Sequence, residues 1–546
     1  MRRFAIGALC CLVLFGISAC TRVSTTSPSG EMNSWTLPHV LRYATGEDIP
    51  TLNPALGQQE TLGMLSSLTA AWLIKWNRHN LPVPEIATEV PSKANGGISP
   101  DGLTITYHLR KGVRWSDGAP LNADDVVWTI HAILNPANNV VSRTGWNLIT
   151  RIGEPDKYTV VLRLSKPYSP FVVTFLSSAG ANPSILPKHI LARYPNFNNV
   201  PFNGLPVGAG PFMYKAWNRG ENVIMVPNPY YFRGRPRLKE VIFEIITDTN
   251  TVFTDLQSHA LDLWYPTPGS FFVRFKELGH AFSYIRQPGY IYNHIDFNVS
   301  RPALRDPIVR HALEYAIDRE TILKKIAYGA GSVQEEPASK AAPYYDPSIA
   351  LVPFDIAKAN QLLDADGWRR GADGVREKNG ARLDLLVVSS AGDPVADNII
   401  ELIQQWWRQI GVAITVRRYE APQLFNTYQA GGILYGGKWD VSFFAWVDDP
   451  IGDFSFIYAC DQIPPAGQND LRWCNPTATA AEHALFAHYD QAQRNADDAI
   501  VFAQLAKDTP TVVMYVRDDI SIFNRDLKNF HPNNVSPFDD FMNVDI

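Results

Sequence analysis

The sequence predicts an α/β fold, and two observations support this. Residues 399–410 place Ile399, Leu402, Ile403 and Trp406 on one helical face, and an alternating strand at residues 412–417 follows directly. A helix followed at once by a strand is typical of layered α/β lobes. Residues 439–446 are apolar on nearly both faces, which suits a strand that is buried on both sides.

Length and composition restrict the class of protein. The chain has 546 residues, of which 46% are hydrophobic and 19% are charged, so it is an ordinary globular chain long enough for two to four domains. The net charge is −5 and there is no basic tract, so we expect no nucleic-acid partner. Aromatic residues are plentiful, with 14 Trp, 22 Tyr and 27 Phe; some must belong to the core, and an excess is also what a pocket for varied apolar side chains would use.

The N-terminus has the pattern of a secretory signal peptide. Two arginines precede an apolar run at residues 4–17, and small residues then lead to Cys20. The run is too short to span a membrane comfortably, which disfavours a membrane anchor. Residues 17–20 also resemble a bacterial lipobox, although a plain signal peptide remains the alternative. We expect residues 1–19 to be removed, Cys20 to be lipidated and residues 20–35 to form a flexible tether.

Only two cysteines remain beyond the N-terminal segment. Cys460 and Cys474 in an exported chain suggest a disulfide that closes a short surface loop, and two free thiols are the alternative. Histidines with ligand spacing do not stand nearby, so we expect no metal site here.

A dense motif near the start of the chain combines a strand with a capped helix. Residues 103–109 alternate between apolar and polar side chains, which indicates a half-buried strand. Asn122 is placed to cap a helix over residues 123–133, with Asp125 three residues later in a capping-box arrangement. Two further helices are predicted at residues 306–317 and 320–328, and Gly329 is expected to end the second.

The strand at residues 439–446 ends in two acids and a proline. Because proline cannot continue a central strand, Asp448 and Asp449 lie at the strand's carboxyl end, where open α/β sheets bind ligands. Trp446 with two carboxylates is a plausible clamp for a cationic group on an apolar body. The alternative is that both acids belong to an ordinary solvated turn.

Three motifs in order resemble one family. They are LTITYHLRKGVRWSDGAPLNADDVVWTI from Leu103, PVGAGPFMYKAWNRGENVIMVPNPYYFRGRP from Pro206 and FNVSRPALRDPIVRHALEYAIDRETILKKIAYGAG from Phe297. They resemble segments of the extracytoplasmic solute-binding proteins of family 5, the peptide- and nickel-binding components of ABC importers. The resemblance runs from about Pro38 to the C-terminus.

The resemblance implies a two-lobed fold of the periplasmic-binding-protein type, type II, with an extra subdomain in the first lobe. Two crossing strands, at residues 291–298 and 511–518, are expected to form the hinge. The implied boundaries are residues 36–57, 205–290 and 515–546 for the core of lobe I, 58–204 for its extra subdomain and 291–514 for lobe II.

The resemblance also implies the ligand-binding residues. In peptide-binding members a Trp-x-x-Asp motif ends a strand of the second lobe, its Asp pairs with the peptide ammonium, and the adjacent backbone pairs with the peptide. Trp446-Val447-Asp448-Asp449 matches this spacing, which makes Asp449 the expected ammonium partner, with Asp448 as the alternative. The sequence departs from the family at once after Asp449, where Pro450 follows. Tyr265 matches a family tyrosine near the ligand, and its alternative is a packed aromatic residue.

Function follows from the same resemblance. We expect the substrate-binding component of an ABC importer, which captures short peptides and delivers them to a membrane permease. A nickel chelate, an opine or an oligosaccharide is the alternative ligand on the same scaffold. We expect a lipid-anchored monomer in the periplasm or on the outer face of the cytoplasmic membrane, with no cofactor. An enzyme is disfavoured because the sequence has no Gly-x-Ser-x-Gly, His-Glu-x-x-His or phosphate-loop motif.

Overall fold

A computed structural model describes residues 32–57, 59–141, 143, 145–179, 182–448 and 451–546. The predicted signal peptide, Cys20 and most of the predicted tether lie outside the described residues, and so does Asp449. In the described ranges, no helix combines the length and the apolar character needed to cross a membrane.

The first 211 residues contain one strand of the central sheet and a separate α+β region. The elements are β1 Val40–Ala44, α1 Glu60–Thr69, β2 Ile74–Trp76, β3 Pro82–Pro84, β4 Thr104–His108, α2 Ala123–Leu134, β5 Ile149–Asp156, β6 Thr159–Leu164, α3 Phe171–Thr174 and α4 Lys188–Leu191. Strands β4, β6 and β5 form their own antiparallel sheet.

The middle of the chain returns to the central sheet and ends in a long strand. The elements are β7 Phe212–Asn218, β8 Asn222–Pro227, β9 Glu240–Glu244, α5 Thr249–Gln257, β10 Leu263–Trp264, α6 Gly269–Phe272 and β11 Phe282–Phe297. Short 3-10 segments occur at Trp146–Leu148, Pro201–Asn203, Phe275–Ala281 and Cys460–Gln462.

The last part of the chain alternates helices with strands. The elements are α7 Pro307–Tyr315, α8 Arg319–Lys325, β12 Gly331–Ser332, α9 Ile356–Ala365, β13 Arg369–Arg370, β14 Arg376–Lys378, β15 Ala381–Arg382, β16 Asp384–Ser390, α10 Pro394–Gln409, β17 Ala413–Tyr419, α11 Ala421–Leu424, α12 Ile433–Gly436, β18 Val441–Val447, α13 Ser455–Tyr458, α14 Pro476–Leu485, α15 Gln491–Asp508 and β19 Thr511–Asn524.

One mixed sheet runs through both lobes. Its strand order is β17-β16-β18-β11-β19-β10-β1-β9-β8-β7, and β12 pairs with β19 beside this path. Strands β11 and β19 pair with each other over nearly their whole length and link the two halves. A register shift between Pro288 and Tyr292 sets three residues of β11 opposite one of β19. Such a bulge bends the ribbon where the two lobes meet.

Separate hydrophobic cores support the two lobes. Lobe I contains β1 and β7–β10, whose largest core packs Tyr43, Leu263 and Phe538 together. The α+β region adjoining lobe I has its own core around Trp115 and Val126, which we call the subdomain core. Lobe II contains β16–β18 and the helices from α7 to α15, with one core on each face of its sheet and a third core around α13 to α15. The chain is therefore a two-lobed α/β protein.

Several local predictions are confirmed. Helix α2 begins with the predicted capping box, in which Asn122 accepts from the backbone N–H of Asp124 and Asp125 accepts from that of Asn122. Helix α10 ends at Gln409, and Gly411 takes the positive φ of 79° that favours glycine after a helix. One expectation is wrong: helix α8 ends at Lys325, four residues before Gly329.

Candidate functional site

In both lobes, strands point their carboxyl ends toward the crossing of β11 and β19. Strand β1 is parallel to β10 in lobe I, and β16 is parallel to β18 in lobe II. Because β10 runs antiparallel to β19 and β18 runs antiparallel to β11, the ends of β10 and β18 point toward each other. The region outside the carboxyl ends of such strands is where α/β proteins bind ligands.

A cavity lies at this crossing and has walls from both lobes. Its volume is about 410 Å³. Residues 266–270 follow β10 and form one wall, while Asp393 at the start of α10 and Tyr328 after α8 belong to the other. Ile291 on β11 and Arg517 on β19 also line the cavity. The cleft between the lobes is therefore an accessible space bordered by the crossing strands.

Strand β18, whose carboxyl end points toward the crossing of β11 and β19, has one open edge. On one side it pairs with β11 along its whole length, from Val441 to Val447. On the other side, within the part of the chain that the structure describes, β16 pairs only with residues 441–443. The backbone from residue 444 onward therefore lacks a neighbouring strand on that side.

The open edge carries oriented backbone donors and acceptors. The N–H of Asp448 donates to the Tyr290 carbonyl oxygen at 2.6 Å, so this N–H points toward β11. Because the N–H and C=O groups of successive residues alternate in an antiparallel strand, those of Ala445 and Val447 point toward the open edge. The strand thus offers a main-chain ladder to an extended partner.

The side chains at the end of β18 differ from the sequence prediction. The strand was expected to be buried on both faces, but only residues 441–444 are buried. Ala445 is exposed and the Val447 side chain is 62% exposed. Trp446 is half-buried between the rings of Phe444 and Phe456, with centroid distances of 5.8 Å to each. The last residues of the strand are therefore accessible and do not belong to the core.

Asp448 is a buried carboxylate that accepts hydrogen bonds from other residues of lobe II. It is 1% exposed, and its oxygens accept from the backbone N–H of Ser339 and from the Tyr344 hydroxyl, both at 2.8 Å. These bonds tie the end of β18 to the segment that carries Ser339 and Tyr344. Sequence reasoning named Asp448 as a possible ligand group, whereas its described contacts are structural.

Tyr265 lies behind the cleft wall on the lobe I side. It is only 2% exposed, packs in the lobe I core and donates a hydrogen bond to Asp519. The Tyr43 hydroxyl donates to the Tyr265 carbonyl oxygen at 3.3 Å. Trp264 and Trp439 are likewise fully buried core residues. The described contacts of Tyr265 therefore match the alternative of a packed aromatic residue.

Two acids that sequence reasoning missed stand near this wall. Desolvation, together with the negative charges of Asp519 and Glu47, raises the pKa of Glu60 to about 7. Desolvation also raises the pKa of Asp519 to about 6, against hydrogen bonds from Asn534 and Tyr265. Asp519 lines the cleft cavity and Glu60 is solvent-accessible, and we call these two carboxylates the acids of the recess.

The segment after β18 closes against the region that adjoins lobe I. Ile451 is 5% exposed and packs with Trp76 and Ala179 in one small apolar cluster. Further along, Cys460 and Cys474 form a disulfide with Cα atoms 4.5 Å apart, in the loop between α13 and α14. In the ranges that the structure covers, His, Cys, Asp and Glu side chains form no group of three suited to a metal ion.

Comparisons with known proteins agree on one family. The family model described as bacterial extracellular solute-binding proteins, family 5 Middle, matches residues 82–464. The oligopeptide-binding protein AppA of Bacillus subtilis is 25% identical over 439 residues, which is 79% of each chain. Protein XP55 of Streptomyces lividans is 31% identical over 312 residues, and this match spans 57% of the present chain and 55% of that protein.

A solved structure extends the comparison to nearly the whole chain. The NikZ protein of Campylobacter jejuni, in complex with Ni(L-His), superposes with a TM-score of 0.73 at 25% identity. The superposition covers 91% of this chain and 96% of that one. The likeness therefore includes both lobes.

Proposed function

The chain belongs to family 5 of the bacterial extracellular solute-binding proteins, and we propose that it captures short peptides between its lobes for the permease of an ABC importer. The family name places such proteins outside the cytoplasm. We propose further that Cys20 carries the lipid anchor and that the protein acts as a monomer. The AppA relative, aligned over 79% of the chain, is named as an oligopeptide-binding protein, which supports a peptide ligand.

The open edge of β18 is the observation that carries the proposal. Ala445 and Val447 offer N–H and C=O groups in the cleft, which an extended peptide can pair with as an added strand. Main-chain pairing does not read side chains, so one edge suits many sequences. The exposed Val447 side chain supplies apolar contact beside the ladder.

We assign the peptide ammonium to Asp449. Asp448 is engaged by Ser339 and Tyr344, which leaves its neighbour as the better candidate of the two. A carboxylate in a closed cleft attracts a cation much more strongly than one in bulk water. The recessed acids Glu60 and Asp519 would add to the negative potential that favours a positively charged terminus.

A nickel chelate is the second candidate ligand, because NikZ is seen with Ni(L-His) and resembles both lobes of this chain. The two candidates differ in what they require of the cleft. A peptide uses the strand edge, whereas a compact chelate needs side-chain walls and no extended ladder.

The decisive experiment is mass spectrometry of the ligand that is released from the purified protein by denaturation. A series of short peptides supports the proposal. A nickel–histidine chelate or another compact solute refutes it. Binding is then measured by calorimetry with a synthetic pool of tri- to pentapeptides, and the same pool with acetylated N-termini is the matched control. A pool that binds equally well after acetylation would remove the ammonium role from Asp449.

N-methylated peptides test the strand edge directly. Methylation at alternate backbone nitrogens removes donors from one edge of the ligand, while the side chains and the ammonium group stay the same. We expect methylation on the edge that faces β18 to lower affinity by about tenfold per lost pair of bonds. Equal loss from methylation on either edge would contradict the added-strand arrangement.

A further inference from the structure

A second contact between the lobes lies away from the cleft, where the turn between α14 and α15 meets the region adjoining lobe I. The Tyr489 hydroxyl donates to the Gly102 carbonyl oxygen at 2.8 Å and accepts from the Tyr168 N–H at 3.3 Å. Ser169 donates twice, from its N–H to the Phe486 carbonyl at 2.7 Å and from its hydroxyl to the Leu485 carbonyl at 2.9 Å. We call these six residues the latch.

The latch joins two structures that otherwise have separate cores. Helices α14 and α15 pack through Ala478, Ala481 and Phe502 in a lobe II core. The Tyr489 ring, in contrast, packs against the subdomain core on the other side. The contact is tight, because a Cβ atom built at Gly102 would lie only 2.9 Å from the Tyr489 ring. The Tyr168 and Phe486 rings add an aromatic contact with centroids 5.3 Å apart.

The geometry of the latch is that of a closing contact. Hinge motion at the β11–β19 ribbon would separate the lobes, so bonds that join the lobes outside this ribbon are broken by opening. Ser169 is 4% exposed, and opening would leave its two donors and the carbonyls of Leu485 and Phe486 to water. Two of the four bonds use backbone carbonyls at the C-terminus of α14, of which that of Leu485 also accepts from the His488 N–H at 3.2 Å.

We propose that the latch stabilises the closed form through protein contacts alone and thereby sets the rate at which ligand leaves. Its residues do not overlap with the strand edge, Asp449 or the acids of the recess. Its contribution to closure is therefore independent of which solute occupies the cleft. The effect on ligand release rests on the proposed function, whereas the effect on closure does not.

Tyr489→Phe is the sharpest test, because it keeps the packed ring and removes the hydroxyl with both of its bonds. We expect the ratio of closed to open protein to fall by about tenfold, which corresponds to about 1.4 kcal/mol. Ser169→Ala removes one hydroxyl bond from the opposite side, and we expect about a fivefold fall. Tyr230→Phe is the control, since Tyr230 lies on the surface with 44% of its side chain exposed.

Small-angle X-ray scattering of the ligand-stripped full chain measures closure directly. The latch variants should have a larger radius of gyration than the wild-type protein and the control. The solution conditions are therefore set so that the wild-type protein populates both forms, and unchanged scattering of the latch variants under those conditions overturns the latch. Urea unfolding of each variant shows whether the lobes stay folded. If Tyr489→Phe makes the lobes less stable, the test uses Ser169→Ala, which removes a latch bond from the region adjoining lobe I.

Release of the bound peptide pool, followed by stopped-flow fluorescence, is the second measurement. The dissociation rate should rise by about tenfold in Tyr489→Phe, with little change in the association rate. An unchanged dissociation rate contradicts the proposed role in ligand release. If the wild-type protein binds no peptide, the proposed function fails, and scattering alone decides whether the latch exists.

Discussion

Replacing Asp448 by asparagine separates a structural carboxylate from a ligand carboxylate. The two oxygens of Asp448 accept from the Ser339 N–H and the Tyr344 hydroxyl, both at 2.8 Å, and the side chain is 1% exposed. Asparagine keeps one acceptor, but its amide nitrogen then faces the second donor. One buried donor loses its acceptor, and the remaining bond loses its charge.

The magnitude follows from these two bonds. A hydrogen bond to a charged group contributes about 1.5–3 kcal/mol, and a buried donor without a partner costs about 1–3 kcal/mol. We therefore expect Asp448→Asn to lower the free energy of unfolding of lobe II by about 2–4 kcal/mol. Tyr344→Phe removes one of the same bonds, so the two changes together should cost less than the sum of the separate costs.

Urea unfolding, followed by tryptophan fluorescence, measures stability, and calorimetry with the peptide pool measures affinity. Asp448→Asn should unfold at a lower urea concentration and keep most of its affinity below that concentration. Asp449→Asn should do the reverse, with wild-type stability and at least tenfold weaker binding. An Asp448→Asn protein of wild-type stability that no longer binds peptide would refute this assignment and make Asp448 the ligand group.

Three other predictions test the surroundings of the cleft. Burial of Glu482 and the negative charges of Asp453 and Asp498 raise its pKa well above the usual value, against a hydrogen bond from the Phe454 backbone, so its contribution to stability is greatest at low pH and is lost as pH rises. Glu482→Gln should therefore flatten the fall in the free energy of unfolding that urea measures between pH 5 and 8, and an unchanged pH dependence would exclude this role. Replacing Cys460 and Cys474 by alanine opens a loop with a sequence separation of 14 and should lower the free energy of unfolding by about 3 kcal/mol, unlike the exposed control Tyr230→Phe. Peptide affinity should fall as pH drops from 8 to 5, because Glu60 and Asp519, with pKa values of about 7 and 6, lose their charge. A Glu60→Gln/Asp519→Asn protein that keeps the full pH dependence would show that these acids do not contribute to peptide affinity.

Local sequence patterns were sufficient to predict the elements that frame the site. The capping box at Asn122 and the helix–strand unit before Gly411 depend on neighbours within a few residues, and both are present. The position of β18 was also predicted to within two residues at its start and one at its end. These features are local, so a single chain contains the information that specifies them.

The exposure of β18 could not be predicted in the same way. The apolar run from Val441 to Val447 reads as buried throughout, but β16 ends beside residue 443 and leaves the rest of the strand open. The register between distant strands determines which part of β18 is exposed, and the periodicity of the run itself does not depend on that register. The roles of Asp448 and Tyr265 depend likewise on partners more than a hundred residues away, namely Tyr344 and Asp519.

The open strand edge recognises the peptide, whereas the latch retains it. Pairing along Ala445 and Val447 reads only the main chain of a peptide, so by itself it distinguishes one sequence from another poorly. A protein with such an edge gains uniform retention if part of the closing free energy comes from contacts that no peptide touches. The bonds of Tyr489 and Ser169 are contacts of this kind, because they join residues 387 and 316 positions apart without passing through the cleft. Weakening the latch should therefore shorten the lifetime of every peptide complex by the same factor, whereas a change in the recess that contains Glu60 should alter the ranking among peptides.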